Sequence, residues 1–128
     1  MSADAGGLSI MSVINALASV AVRNLGLSIR WYEELLGRAA DSVPMSEVAE
    51  WEFERGGWLQ VYQNKERAGT GAVTLSVDKL DEQVDHLRRI GIEPGKQTTS
   101  KKVKVVMIKD PDGNSIAFAE ALDPRMAQ

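Results

Sequence analysis

Apolar and polar positions alternate along residues 17–23 (Leu-Ala-Ser-Val-Ala-Val-Arg) and again along 72–78 (Ala-Val-Thr-Leu-Ser-Val-Asp), the period-two signature of a strand. Each run gives way to helical spacing. The first helix is predicted from about Leu27 to Leu36, with Ile29, Tyr32 and Leu36 on one face and Trp31 and Leu35 beside them. Asn24 or Ser28 can cap its start, and Gly37 can supply the left-handed residue past its end. In the second helix Leu80, Val84 and Leu87 follow i, i+4, i+7. Asp81 and Glu82 lie at its start and Arg88 and Arg89 at its end, as the macrodipole favours, and Gly91 stops it. Three β-like runs follow each helix, roughly 41–48, 49–55 and 58–64 in one half and 95–99, 102–109 and 114–120 in the other. Gly56-Gly57 separates the last two runs of the first half. Pro111-Asp112-Gly113 does so in the second, where Pro suits the first corner of a type I turn and Gly a positive φ. The pattern predicts two strand–helix–three-strand modules, about 12–66 and 70–122, joined through Gly69-Thr70-Gly71 into one domain. Residues 1–11 and 123–128 read as disordered tails.

Alternation also sorts the strands into two faces. Val20, Val22, Leu59, Val61, Val73, Leu75, Val77, Ile116 and Phe118 form an apolar face that must pack on the helices. The opposite face carries Leu17, Ser19, Ala21, Trp58, Gln60 and Tyr62 in one half, and Ala72, Thr74, Ser76, Ser115, Ala117 and Ala119 in the other. Small residues make room there, while the aromatic and polar ones offer stacking surface and oriented hydrogen bonds, the composition of a small-molecule pocket. Trp51 and Phe53 alternate with Glu50, Glu52 and Glu54; unpaired glutamates avoid a core, so the aromatic pair points at the helices and the glutamates at the cup side or solvent. The corresponding stretch of the second half, Lys102-Val103-Lys104-Val105, is basic, so the two halves differ in local charge.

Composition narrows the chemistry. A chain of 128 residues has room for one core, and with no cysteine it can hold neither a disulfide framework nor a thiolate site. A net charge of -3 disfavours nucleic acid as a partner. No apolar run reaches the length of about 20 residues that crosses a bilayer, and the first residues lack the basic start of a secretory signal, so a cytoplasmic protein is expected. His86, the single histidine, falls on the second helix and reads as a surface or helix–sheet contact residue. Neither a phosphate-binding glycine loop nor a serine–histidine–aspartate set can be assembled.

The doubled module, the run Val22-Arg23-Asn24-Leu25 leading into Ser28, Trp31-Tyr32 and Leu36-Gly37, and the turn Asp110-Pro111-Asp112-Gly113-Asn114 resemble the vicinal oxygen chelate superfamily of glyoxalases, bleomycin-resistance proteins and dioxygenases. That resemblance implies an α+β fold in which two βαβββ modules form curved, mostly antiparallel sheets with helices on the outer face. It also implies a homodimer whose modules complete two cups. In metal-dependent members four ligands, typically His, Glu or Gln, come from equivalent strand positions, which fall here on Leu17, Gln60, Ala72 and Ala117. Leucine and alanine donate nothing, so no metal, no other cofactor and no catalytic residue is expected. The leading expectation is binding of a small organic ligand by Ser19, Glu52, Trp58, Gln60, Tyr62, Thr74 and Ser115, as in drug-sequestering members. Two readings stay beside it: a divergent metal-dependent lyase, isomerase or dioxygenase, and an interaction module with a vestigial cup; apart from both, Glu52 near Gln60 could act as a general base.

Overall fold

The computed structural model describes residues 12–122, so the expectations for residues 1–11 and 123–128 lie outside it. The element order is β1 (Leu17–Val22), α1 (Leu25–Leu36), β2 (Ser42–Met45), β3 (Val48–Glu52), β4 (Trp58–Gln63), β5 (Ala72–Ser76), α2 (Leu80–Arg89), β6 (Thr98–Thr99), β7 (Val103–Lys109) and β8 (Ser115–Ala121). Two four-stranded sheets result, ordered β1-β4-β3-β2 and β5-β8-β7-β6. In each, the strand before the helix pairs in parallel with the last strand of its module, because a helical crossover returns the chain in the same direction. The remaining joints are antiparallel. The fold is therefore α+β with two βαβββ modules, as expected from the alternation and the turn residues.

Asn24 rather than Ser28 caps α1: its side chain accepts from the Leu27 N–H, and the helix begins at Leu25, earlier than the spacing suggested. The buried line of α1 is Leu25, Ser28, Tyr32 and Leu35, while Ile29, Trp31 and Leu36 pack at its margin. Ser28 can sit in that line because its hydroxyl meets the Asp112 carboxylate at 3.5 Å. Gly37 adopts φ 76 at the C-cap, and its N–H donates to the Glu33 carbonyl. For α2, Glu120 on β8 accepts from the Leu80 N–H at 2.8 Å and so supplies the cap that Lys79 lacks.

Three expected strands are shorter than the alternation implied, the run 41–48 being strand only over Ser42–Met45, as β2. The run 49–55 ends as β3 at Glu52, since Phe53 enters the turn that Gly56 closes at φ 95. Of 95–99 only Thr98–Thr99 joins the ladder, as β6, while Gly95, a poor ladder former at the start of the run, gives a single N–H to the Met107 carbonyl of β7.

One core lies between the helices and both sheets. Trp51, Tyr32, Leu59, Leu80, Leu87, Val22, Val61 and Ile116 are wholly buried in it. Each such apolar side chain stabilises the fold by about 1.5–3 kcal/mol. The sheets approach each other at β1 and β5, and His86 Nε2 lies 2.8 Å from the Glu34 carbonyl, so α2 packs beside α1. His86 is thus a surface residue of α2 that touches α1.

The turn Asp110–Asn114 joins the modules. Asp110 Oδ1 accepts from the Asp112 and Asn114 N–H groups, and its Oδ2 accepts from Tyr32 Oη at 2.7 Å and Asn114 Nδ2 at 2.8 Å. Asn114 also donates to the Ala21 carbonyl and accepts from the Gly71 N–H. Asp112 takes the Arg23 guanidinium and backbone N–H. A turn of the second module is therefore bonded to β1 and α1 of the first and to the linker between them.

Candidate functional site

Strand register fixes which side chains share the face turned away from the helices. In the first sheet the rows are Leu17–Trp58–Glu52, Ser19–Gln60–Glu50 and Ala21–Tyr62–Val48. In the second they are Ala72–Ser115–Lys109, Thr74–Ala117–Met107 and Ser76–Ala119–Val105. Row matches row between the modules, so Trp58 corresponds to Ser115, Gln60 to Ala117, Glu50 to Met107 and Glu52 to Lys109. The two halves are alike in backbone and unlike in chemistry. Both aromatic rings, both carboxylates and the carboxamide belong to the first, while the second carries Thr74, Ser76, Ser115 and Lys109.

The middle row of the first sheet is a hydrogen-bonded chain. Ser19 Oγ donates to Gln60 Oε1 at 3.3 Å, and Gln60 Nε2 donates to Glu50 Oε2 at 3.1 Å. The serine hydroxyl and the carboxylate thus fix the carboxamide's orientation, with its nitrogen toward the acid. Beside this row lies an open cavity of about 330 Å³, lined by Asn15, Ala16, Leu17, Glu50 and Trp58. Asn15 is tied in place by donating to the Gly56 carbonyl of the β3–β4 turn, which brings the segment before β1 against the mouth of the first sheet.

The structure brings Ser19, Gln60, Trp58, Tyr62 and Glu52 onto one sheet face, and Thr74 and Ser115 onto the corresponding face of the other sheet. Trp58, Gln60, Tyr62 and Ser115 are half-buried; Ser19, Glu52 and Thr74 are exposed. Of these residues, Trp58 lines the cavity. Glu50 and Asn15 also face it and were passed over in the choice of binding residues. Glu50 was within reach of the sequence, since it shares parity with Glu52. Asn15 had no signal, because it precedes the first strand. Ala21 and Ala117, expected on the open face, are buried at 4% and 7% exposure. Each is a methyl beside a larger side chain in its row, Ala21 beside Tyr62 and Ala117 beside Met107.

The basic stretch falls differently from the acidic one. Lys104 shares its side of β7 with Val106 and Ile108, facing the helices, and pairs with Glu120 at 3.7 Å. Glu120 in turn caps α2, so this ion pair belongs to the helix attachment and not to the cup. Lys109, from the same strand, is the base that shares the open face.

The registers also test the metal positions. Leu17 sits one row from Gln60, and Ala72 one row from Ala117, the same diagonal in both modules. Those positions offer one carboxamide, which is already engaged by Ser19 and Glu50, and they do not fit a divalent ion. Among the described residues no three His, Asp or Glu side chains converge on a point. Asp41 is held below the usual carboxylate range by the Arg38 guanidinium and the Glu52 N–H, but it serves to fasten the β2–β3 end and faces no cavity.

Comparison with known proteins agrees with this architecture. The chain is similar to a glyoxalase/bleomycin resistance protein from Catenulispora acidiphila, at 36% identity over 84% of this chain and 98% of the other, with a TM-score of 0.77. At the level of fold it is similar to TnmS3, an antibiotic binding protein from Streptomyces sp. CB03234 (19% identity, 87% and 98% covered, TM-score 0.72). It is likewise similar to a bleomycin resistance determinant encoded on the transposon Tn5 (14% identity, 84% and 98% covered, TM-score 0.71). No curated protein matches the chain. The sequence pattern of one family matches residues 13–118, and the chain belongs to that family, the Glyoxalase/Bleomycin resistance protein/Dioxygenase superfamily.

Proposed function

We propose that this chain binds a small organic molecule, without metal, on the face carrying Ser19, Glu52, Trp58, Gln60, Tyr62, Thr74 and Ser115, and that it does so as a homodimer in the cytoplasm. The observation that carries the reading is the pairing of a poor metal site with a rich organic one. The positions where relatives place ligands hold Leu17, Ala72, Ala117 and an engaged Gln60, while Trp58 and a fixed polar row border a cavity. Without a metal there is no Lewis acid to polarise a substrate, so sequestration is favoured over turnover. The antibiotic-binding and bleomycin-resistance structures that share the fold support the same assignment. No helix among the described residues is long and apolar enough to cross a membrane, which agrees with a protein that meets its ligand in solution.

Fluorescence titration tests it. Trp51 is wholly buried and Trp31 is packed against the core, so quenching by a bound planar drug will report chiefly on Trp58. A saturable response that is lost in Trp58→Phe, from protein whose elemental analysis shows no stoichiometric transition metal, is the expected result. Near-stoichiometric Ni, Zn, Fe or Mn in protein purified without chelators would restore the enzymatic reading.

A further inference from the structure

Resting on that reading, we infer that the ligand is a flat ring system carrying a positive charge, and that Glu50 is the residue that selects the charge. Glu50 is half-buried and lines the cavity together with Trp58. Its Oε2 accepts from Gln60, and among the described residues no Lys, Arg or His comes within ion-pair distance of it. A carboxylate in that position is partly desolvated and has a neutral hydrogen bond but no counter-charge, so a cation entering the cavity supplies what the protein leaves out.

The corresponding position in the second sheet strengthens the point. It holds Met107, so no base stands at the equivalent place. Lys109 corresponds to Glu52, one row away. Gln60 does not neutralise the acid, because its amide Nε2 is an uncharged donor that reaches one carboxylate oxygen, Oε2. Trp58 completes the arrangement. An indole face attracts an aromatic cation both by stacking and through its quadrupole. Leu17 and Ala16 give the apolar floor that a flat ring needs and a strongly hydrated small cation does not. The groups that recognise charge and ring therefore both lie in the first module.

A matched series separates charge from shape: N-methylacridinium, neutral acridine at pH 8, and acridine-9-carboxylate, each titrated by calorimetry. N-methylacridinium is expected to bind about tenfold or more tighter than acridine, with acridine-9-carboxylate the weakest. Glu50→Gln keeps the hydrogen bond to Gln60 and should remove most of that tenfold preference while leaving acridine within about twofold. Glu33→Gln, the same charge change on α1, should leave the preference intact. Equal affinity for the cation and the neutral ring, or an unaltered preference in Glu50→Gln, would overturn the charge assignment and leave the binding face standing. Absence of saturable binding by all three would overturn both.

Discussion

Tyr32 has no exposed atom, and its hydroxyl donates at 2.7 Å to Asp110, a carboxylate that already receives three other N–H groups. The phenol must stay protonated to make that bond. Burial, then the bond to Asp110 and its charge, push the Tyr32 pKa far above the ordinary phenol range. The sign of the pH dependence follows. A group with a raised folded-state pKa gives its full stabilisation below its unfolded pKa, about 10 for tyrosine, and loses it as the pH climbs toward the folded value. Stability should therefore fall above about pH 10 by an extra 1.4 kcal/mol or so per pH unit from this residue alone. Tyr32→Phe should remove that part of the slope, because Phe cannot ionise. Urea unfolding of both proteins at pH 8, 10 and 11 would show it; parallel slopes would mean that Tyr32 ionises freely in the folded state. Periodicity predicts the burial of Tyr32, but nothing in it reveals the partner. Asp110 is 78 residues away along the chain, and only the docking of the turn onto α1 brings them together.

At the scale of elements, the linker and the turn approach each other closely enough to make one glycine indispensable. Gly69 has φ +84, and a Cβ there would lie 2.3 Å from the Asp112 carbonyl oxygen, a backbone atom that cannot swing aside. Gly37 has a similar φ of +76 but open space around it. The comparison isolates close approach from backbone strain. Gly37→Ala should cost about 1–2 kcal/mol for the left-handed conformation alone, and Gly69→Ala clearly more, since the turn must move away from the linker. Equal costs in chemical denaturation would mean that the turn yields easily. Strands of alternating apolar residues were legible at this scale because one face is buried and the register is then forced. The end of β3 was not, because Phe53 has a strand-like side chain whether or not it pairs, and β6 begins only after Gly95, Lys96 and Gln97. Lys104 shows the same limit. The sequence left open whether it reaches the cup, and it lies on the helix side, where Glu120 neutralises it.

For the whole molecule, the decisive asymmetry is between a sealed side and an open one. The helices cover one side of both sheets with a continuous core, while Leu17, Met45 and Met107 stand 48%, 60% and 53% exposed on the other. Register places all of them on the face of the candidate site: Leu17 beside Trp58, Met45 beside Val48, and Met107 beside Ala117. Large apolar side chains on both sheets of one face mark a surface that gains by being covered. A second copy, laying its second sheet over the first sheet of its partner, would cover them twice over by symmetry and would leave the cavity beside Trp58 between subunits. The face carries Glu52 on one sheet and Lys109 at the matching place on the other, so the two surfaces also bring opposite charges to the contact. Sedimentation should therefore find a particle of two 14.0 kDa chains. Met107→Glu adds a charge on the second sheet without touching the core, and should weaken association about tenfold or more, the cost of a desolvated unpaired carboxylate being at least 1.4 kcal/mol or so. Its far-UV spectrum should be unchanged. A monomer in the unmodified protein at micromolar concentration would remove the dimer and require the open face to bind its ligand from one chain alone.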